Sequence, residues 1–492
     1  MPASPDLLRI IVIGGGFAGA VAALKLIDAS TGPLSLTVVE PAEEIGRGIA
    51  YGTTDADHLV NGTAKVFSLF PEDPEHLIRW LKERAEAGGW RPPAQYNGGE
   101  WPVSTPPRKL FGDYVIDTLA RAVSRSGERV AFTQVRERAE DVFVEGNQAY
   151  VRLASGDVLA ADRVVLATGL HPRRSPVSAP DGVQAGAYYV DDIWKDGVDP
   201  AIAGKRHVLL LGSSLTMLDS LITLEKLGYN GRYTIVSRRG LIVQPRREVE
   251  PLTDVLRGEP LPRTALGALR IAQRERRAAA ARGADWQTIV PPLRAQLVPF
   301  WKGLDTREKL RFVNRLRSYW DIALHRAAQP SHAFLSRASA QGRVERLAAK
   351  VIGLDILPGE GVAVRLRRRG AGGPETVLFD AVINSSGHTF DWTRIDDPLV
   401  KNLLASGVVR PHVTGYGIDA DPDRLAVIGR DGNASRHVFA VGHPLRGVSW
   451  ESSSISEELA EAIQLSASLF PQQPPLADAP VQEKTLSGAA AK

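Results

Sequence analysis

These 492 residues predict an α/β chain that runs twice through one strand–turn–helix–strand plan. Three observations carry that prediction. A β-branched run, Arg9–Ile13, stops at Gly14, Gly15 and Gly16 and passes into a helix-forming stretch from Phe17 to Ile27. The same order recurs at His207–Leu211, Gly212 and Thr216–Leu227, too far along the chain to be a solenoid repeat. Each copy is followed by a small antiparallel pattern and then by a buried run ending in glycine, Asp162–Gly169 in one and Asp380–Gly387 in the other.

Taken in order, Ser35–Glu40 reads as a second strand, so residues 9 to 40 form one βαβ unit, which implies a parallel sheet. Asp141–Gly146, Ala149–Leu153 and Val158–Leu159 form an antiparallel meander. In the second copy Tyr233–Ser237 is the second strand, and Lys350–Asp355, Val362–Leu366 and Thr376–Phe379 repeat the meander. Between them, residues 252–335 are rich in Arg and Ala with apolar residues at helical spacing, a helical insertion. Its arginines from Arg270 to Arg282 read as a solvated face over an aromatic core of Trp286, Trp301, Tyr319 and Trp320, not as a nucleic-acid surface. Ser454–Glu457 has capping-box spacing, and Ile455, Leu459 and Ile463 share one face of the helix it would start. Residues 471–492 lack the apolar content to fold and read as a flexible tail.

Composition narrows the function. Hydrophobic residues at 43% and charged residues at 24% exclude fibrous and wholly disordered classes. Sixty Lys and Arg against 56 Asp and Glu leave +4, too weak a field to argue for a nucleic-acid partner. With no cysteine, structural disulfides, thiolate zinc sites, iron–sulfur clusters and thiol nucleophiles are excluded. The ten histidines are scattered without a His-Glu-x-x-His pattern, so no metal is expected. The apolar run Leu7–Ala23 is interrupted by glycines and too short to span a bilayer, so the expectation is a cytoplasmic protein without a membrane span.

The turns carry the chemistry. Gly14, Gly15, Gly16, Phe17, Ala18 and Gly19 satisfy G-x-G-x-x-G directly after a strand, with Glu40 at the end of the next strand to accept from a ribose. Gly14 permits the sharp turn, Gly16 brings backbone amides to a pyrophosphate, and Gly19 lets helix and strand pack closely. The second turn, Gly212, Ser213, Ser214, Leu215, Thr216 and Met217, keeps only its first glycine. Ser237, Arg238 and Arg239 replace the acid there, and paired guanidiniums suit a ribose 2′-phosphate, so NADPH is favoured over NADH. The fold class is therefore two Rossmann-like dinucleotide-binding domains, the second inserted in the first, with a helical insertion. The expected boundaries are 1–199 and 380–470 for the first domain, 200–379 for the second, and a tail over 471–492.

Gly14 to Gly19 with Glu40, the Ala167–Gly169 turn, Gly212 with Ser237–Gly240, and Val438–Glu451 together resemble the two-dinucleotide-binding-domain flavoproteins. Within that group the chain is similar to FAD/NAD(P)-binding proteins related to class B flavin monooxygenases, through Gly46–Gly52, His58–Asn61, Gly212–Asp219 and Arg446–Glu451. The resemblance covers roughly residues 8 to 468 and implies FAD in the first fold, NADPH in the second and a flavin at the crevice between them. It places Thr168 and Gly169, with Gly387 as the second-half counterpart, among the cofactor residues. It also places Arg47, Gly48 and Asn61 near flavin or substrate and Gly442 against the ring. Gly387, His388 and Trp392 share only fragments of the Baeyer–Villiger signature, which turns the expectation from ketone oxygenation toward N-hydroxylation or other heteroatom oxidation. Arg47, Asn61, His443, Trp450 and Glu451 are the candidate catalytic residues, with a small organic molecule and molecular oxygen as reactants. Two alternatives stay open: a reductase passing electrons to a quinone or protein acceptor, and a non-catalytic FAD-binding partner protein. The oligomeric state is not legible.

Overall fold

The computed structural model describes residues 7–470 apart from 173–176, 179–184, 196 and 257–258; the tail expected over 471–492 lies outside the described residues. Across the first sheet the strands run Ala426–Ile428, Ala434–Ala440, Arg163–Leu166, Leu8–Ile13, Leu34–Val39 and Val130–Val135. All neighbours are parallel except the antiparallel edge strand Ala426–Ile428. Ile10 to Ile13 are all buried, as a parallel strand covered on both faces requires. Every residue of the helix Phe17–Ala29 from Phe17 to Ile27 is buried too, because it is enclosed by the sheet and by the helices Arg108–Ser126 and Ile455–Leu469. The predicted meander is a separate three-stranded sheet, Ala139–Glu145, Gln148–Leu153 and Val158–Ala161.

The second sheet places Tyr189–Val190, Ala381–Asn384, His207–Leu211, Arg232–Ser237 and Val344–Leu357 side by side in parallel. Its 14-residue strand Val344–Leu357 runs on past a bulge between Val351 and Gly353 to pair antiparallel with Gly361–Arg368, which pairs with Glu375–Phe379. The second meander is thus an extension of the main sheet, the bulge bending one strand so that it serves both.

The two halves repeat down to single hydrogen bonds. Gly14 N donates to Val39 O and Gly212 N to Val236 O, both at 2.9 Å. Ala167 N donates to Ile13 O and Ser385 N to Leu211 O, both at 2.8 Å. Asp162 accepts from Arg9 N, and Asp380 accepts from Arg206 N and His207 N, each pinning the start of a first strand.

Three boundaries differ from expectation. Tyr189–Val190 and Ala381–Asn384 both lie in the second sheet, so the limits at 199/200 and 379/380 are displaced. The chain passes between the units where His171–Pro172 pairs antiparallel with His388–Thr389. A buried run ending in glycine reads alike in either sheet, and only its pairing partners reveal which sheet it joins. The insertion's helices extend from Ala265–Ala281 to Arg317–Leu324, whereas Gln329–Ala340 packs on Leu215–Lys226 and leads into the strand from Val344. The expected end at 335 therefore falls inside a helix of the α/β unit. Within the insertion Trp301 is buried, but Tyr319 is exposed, with Arg239 over its ring at 5.0 Å.

Among the described residues no helix is long and apolar enough to cross a membrane. The helix Ile455–Leu469 forms as predicted, yet its capping box does not: Ser454 Oγ donates to the Glu457 carboxylate and caps no backbone N–H, and Ile463 is exposed.

Gly212 has φ +116°, and a Cβ there would stand 2.1 Å from Ser385 O. Gly212→Ala is expected to lower unfolding stability by roughly 1–3 kcal/mol, read as a fall in the urea midpoint; an unchanged midpoint would show that the turn relaxes freely.

Candidate active site

The first G-x-G-x-x-G turn opens onto a cavity of about 1050 Å³, at the upper end of the roughly 300–1,000 Å³ of ligand pockets and roomy enough for a dinucleotide. Gly14, Gly16, Phe17, Ala18, Glu40, Arg47, Gly48, Thr168, Gly169 and His443, all named from sequence, line it. So do His171, Trp194, Thr389 and Glu458, which sequence reasoning missed. His171 and Thr389 lie where the chain passes between the units, and Trp194 follows the edge strand Tyr189–Val190 of the second sheet; no motif marks any of them.

Local sterics explain the turn. Gly14 has φ +100°, and a Cβ on it would lie 2.3 Å from Ala167 O, while one on Gly19 would lie 1.9 Å from Gly14 O. Gly19 thus performs the close helix–strand packing expected of it. Gly15 N donates to Glu40 Oε2 at 2.7 Å and Ala42 N to Oε1 at 2.9 Å, which aims the carboxylate at the cavity from the end of its strand.

An FAD fits this lining on two counts. Gly14 and Gly16 leave the backbone of the turn open at the N-terminus of Phe17–Ala29, a cradle for a pyrophosphate. Thr168 Oγ1 and His171 Nε2 are buried without a hydrogen-bond partner among the described residues, polar atoms that a ligand in the cavity would satisfy.

The wall at His443 and Glu458 is acidic and uncharged. His443 Nδ1 lies 3.1 Å from Glu458 Oε1, and Gly442 N donates to Glu461 Oε2 at 2.7 Å. Burial, reinforced by the charge of Glu457, pushes the Glu458 carboxyl up to about 8. Burial and the nearby Arg446 push His443 down to about 3. Burial also holds Glu461 well above the usual carboxylate range, against the stabilising Gly442 N–H. Gly442 has φ +74°, and a Cβ on it would stand 2.9 Å from Ala18 Cβ, so glycine is needed where the loop crosses the first helix. Glu458 was detectable in principle: it and Glu461 share the buried face of Leu459, Ala462 and Leu465, where an acid breaks the apolar pattern.

The remaining candidates are placed as follows. Arg47 borders the cavity but donates to Glu44 and, at 2.7 Å, to Asp113, so its charge is already neutralised and it braces the loop. Asn61 lines neither this cavity nor the smaller one of about 270 Å³ between Trp90 and Arg246. Its neighbour His58 instead ties the units together through Asp219 O and Thr223 Oγ1 at 3.3 and 3.2 Å. Trp450 and Glu451, 1% and 0% exposed, sit outside the cavity lining beneath the insertion, a correction to their expected catalytic place. Trp450 packs on Trp301 and Phe312, and Glu451 accepts from Trp320 Nε1 at 2.8 Å. Burial opposes its charge, yet His325, Arg446 and Trp320 hold the Glu451 carboxyl below its usual range. These two residues clamp the insertion to the loop before the last helix, as does the bond from Trp301 Nε1 to Gly447 O at 2.9 Å. Sequence position near a cofactor motif does not separate a residue that faces a ligand from one that faces a neighbouring helix.

None of the second-turn candidates lines the large cavity. Gly212 repeats the geometry of Gly14, but buried Met217 occupies the place of Gly19, and Val243 N donates to Ser213 O at 2.8 Å, closing a loop over the turn. Ser214 precedes the helix Leu215–Lys226, which holds Leu215 and Thr216 in its first turn. Ser237 Oγ donates to Leu241 O, and Arg239 donates to Arg315 O at 3.0 Å, while Arg238 is exposed at the strand end. Gly387 has φ +86° with nothing within 4 Å of a built Cβ.

The buried acid gives a pH signature. An unfolded Glu458 ionises from its ordinary 4.5 upward, while the folded one keeps its proton until about 8, so its contribution to stability is full below pH 4.5 and lost as pH rises toward 8. Urea midpoints of Glu458→Gln measured between those limits are expected to fall less with rising pH than those of the wild type; parallel curves would mean that Glu458 ionises normally.

A profile of the family described as FAD-NAD(P)-binding matches residues 11–171. Proteins described as uncharacterised from Mycobacterium bovis and Mycobacterium tuberculosis are each 25% identical, over 97% of this chain and 98% of theirs. Among solved structures, the ornithine N-hydroxylase of Kutzneria sp. 744 has a TM-score of 0.61 at 16% identity, over 94% of this chain and 99% of that one. The FAD-bound cadaverine monooxygenase of Erwinia amylovora has a TM-score of 0.59 at 13% identity, over 97% and 100%. The reduced ornithine hydroxylase of Pseudomonas aeruginosa has a TM-score of 0.56 at 15% identity, over 94% and 99%. This chain therefore shares the fold of these solved structures, with a segment over residues 11–171 that matches the FAD-NAD(P)-binding family model.

Proposed function

We propose that the protein is an FAD-dependent, NADPH-reduced monooxygenase that oxygenates a heteroatom of a small organic substrate, with N-hydroxylation of an amine as the leading reaction. The observation that carries this reading is the large cavity built on Gly14, Gly16 and Glu40 and bordered by the segments that join the two units. Its support is a fold shared with structures named as an ornithine N-hydroxylase and a cadaverine monooxygenase.

When bound, FAD would supply hydride acceptance from the nicotinamide and activation of oxygen. The chain's own share is binding, orientation and exclusion of water. Amides at the start of Phe17–Ala29 hold the pyrophosphate, and the Glu40 carboxylate accepts from the ribose hydroxyls. Thr168 Oγ1 and His171 Nε2 engage the bound group from beyond the end of the neighbouring parallel strand Arg163–Leu166. Arg238 offers its guanidinium to the 2′-phosphate of NADPH at the end of Arg232–Ser237.

A second reading, a flavoprotein that does not use nicotinamide, is favoured by Met217 at the place of a packing glycine and by the engagement of Arg239 with the insertion.

Anaerobic mixing of the FAD-loaded protein with NADPH is expected to bleach the oxidised flavin spectrum. In air, NADPH consumption is then expected to match oxygenated product from one member of a panel of amines and sulfides. Absence of bleaching would overturn the monooxygenase reading in favour of the second. Arg238→Ala is expected to raise the KM for NADPH about tenfold, the loss of one charge-assisted contact, without changing that for NADH; an equal effect on both would remove Arg238 from 2′-phosphate recognition. Glu40→Ala is expected to weaken FAD binding about tenfold or more, as for a hydrogen bond to a charged group, measured by flavin fluorescence.

A further inference from the structure

The last helix, Ile455–Leu469, carries three acids on its first two turns, and they are treated differently. Glu457 is paired with Arg294 of the insertion, with Nε to Oε1 at 3.1 Å. Glu458 and Glu461 are each 5% exposed and, among the described residues, have no Lys or Arg within ion-pair distance. Two adjacent buried carboxyls without a cation cannot both ionise, since desolvation and mutual repulsion act together. Glu458 differs from Glu461 in that it lines the large cavity, as does the His443 ring beside it.

We propose that Glu458 and His443 are a proton-carrying pair for this cavity: the Glu458 acid O–H gives its proton to His443 Nδ1 while the ring gives its Nε2 proton to a basic oxygen or nitrogen in the cavity. The Glu458 O–H and His443 Nε2–H bonds break, Nδ1–H and acceptor–H form, and a Glu458 carboxylate is left, to be reset by a proton from solvent along the reverse path. No electrons move. The need for such a pair rests on the monooxygenase reading. That reaction converts NADPH, a proton, dioxygen and substrate into NADP⁺, water and oxygenated substrate, so each turnover takes up one proton in a site that must exclude water.

The surroundings suit the task. At neutral pH both partners are uncharged, the proton resting on Glu458 and the Nδ1 lone pair free to receive it. Glu461 is a positioning residue: it accepts from Gly442 N and so fixes the turn that carries His443. The other groups facing the pair are Glu457 from the same helix, Arg446 from the following turn, Tyr51 from the short helix Gly48–Tyr51, and His171. The His443 ring lies parallel to Phe390 at 6.1 Å, which limits its rotation.

Infrared difference spectra of the protein without cofactor are expected to show a protonated carboxylic C=O band at pH 7 that disappears as pH rises through about 8 and is missing from Glu458→Gln. With FAD and substrate, Glu458→Gln is expected to lower kcat about 10²-fold, the usual worth of a positioned acid, to leave KM and FAD affinity within twofold, and to abolish the alkaline limb of the pH–rate profile. Absence of the band, or wild-type turnover in both Glu458→Gln and His443→Gln, overturns the pair. A wild type that binds FAD but consumes no NADPH overturns the monooxygenase reading and with it the pair's use in turnover, whereas the infrared band reports on the pair alone.

Discussion

Each half of the protein hinges on one contact, a glycine at the end of the first strand lying against a carbonyl of the strand that returns from far along the chain. Gly14 meets Ala167 O, and Gly212 meets Ser385 O, both at positive φ. No side chain fits between them, so the turn, the following helix and the returning strand are locked in one arrangement. In the first half a second glycine at position 19 seats the helix on the turn, and Gly14, Gly16 and Phe17 line the large cavity. In the second half Met217 fills that seat and a loop covers the turn. The same backbone plan therefore borders the large cavity in one half and is covered by a loop in the other.

The units are held together by polar contacts that converge on the helix Leu215–Lys226. Arg108 pairs with buried Asp219 at 2.9 Å, His58 reaches the same turn, and Lys226 meets Asp55 and Asp57. A buried charge pair is poor evidence of net stability, but it is specific, because removing one partner strands the other. The insertion adds a further clamp. Trp301, Trp320 and Arg294 all bind the segment from Gly447 to Glu457, so the loop that carries His443 and starts the last helix is set by residues more than a hundred positions away.

That clamping accounts for the chemistry of the cavity wall. A helix N-terminus ordinarily favours ionised acids through its dipole, and Glu457 there is paired with Arg294. Glu458 and Glu461 are raised instead, because the tight packing of the first helix against the last removes the water that would solvate their charge. The packing that seats the last helix on the first is thus the same packing that keeps these carboxyls neutral.

The sequence by itself determined the two turns, the strands that feed them and the residues around the first cradle. Those are local requirements: glycine where φ is positive, β-branched runs where both faces are buried, an acid at a strand end. It also marked the internal repeat, although it assigned Ala381–Asn384 to the wrong unit, because a strand's sheet is decided by which backbone it pairs with. Only the tertiary structure decided that Trp450 and Glu451 face the insertion, that Arg47 is spent on Glu44 and Asp113, and that Glu458 joins His443 at the cavity. In each case the deciding quantity is what lies on the far side of a side chain, a distance set by packing between segments remote in sequence, which spacing along one chain does not contain.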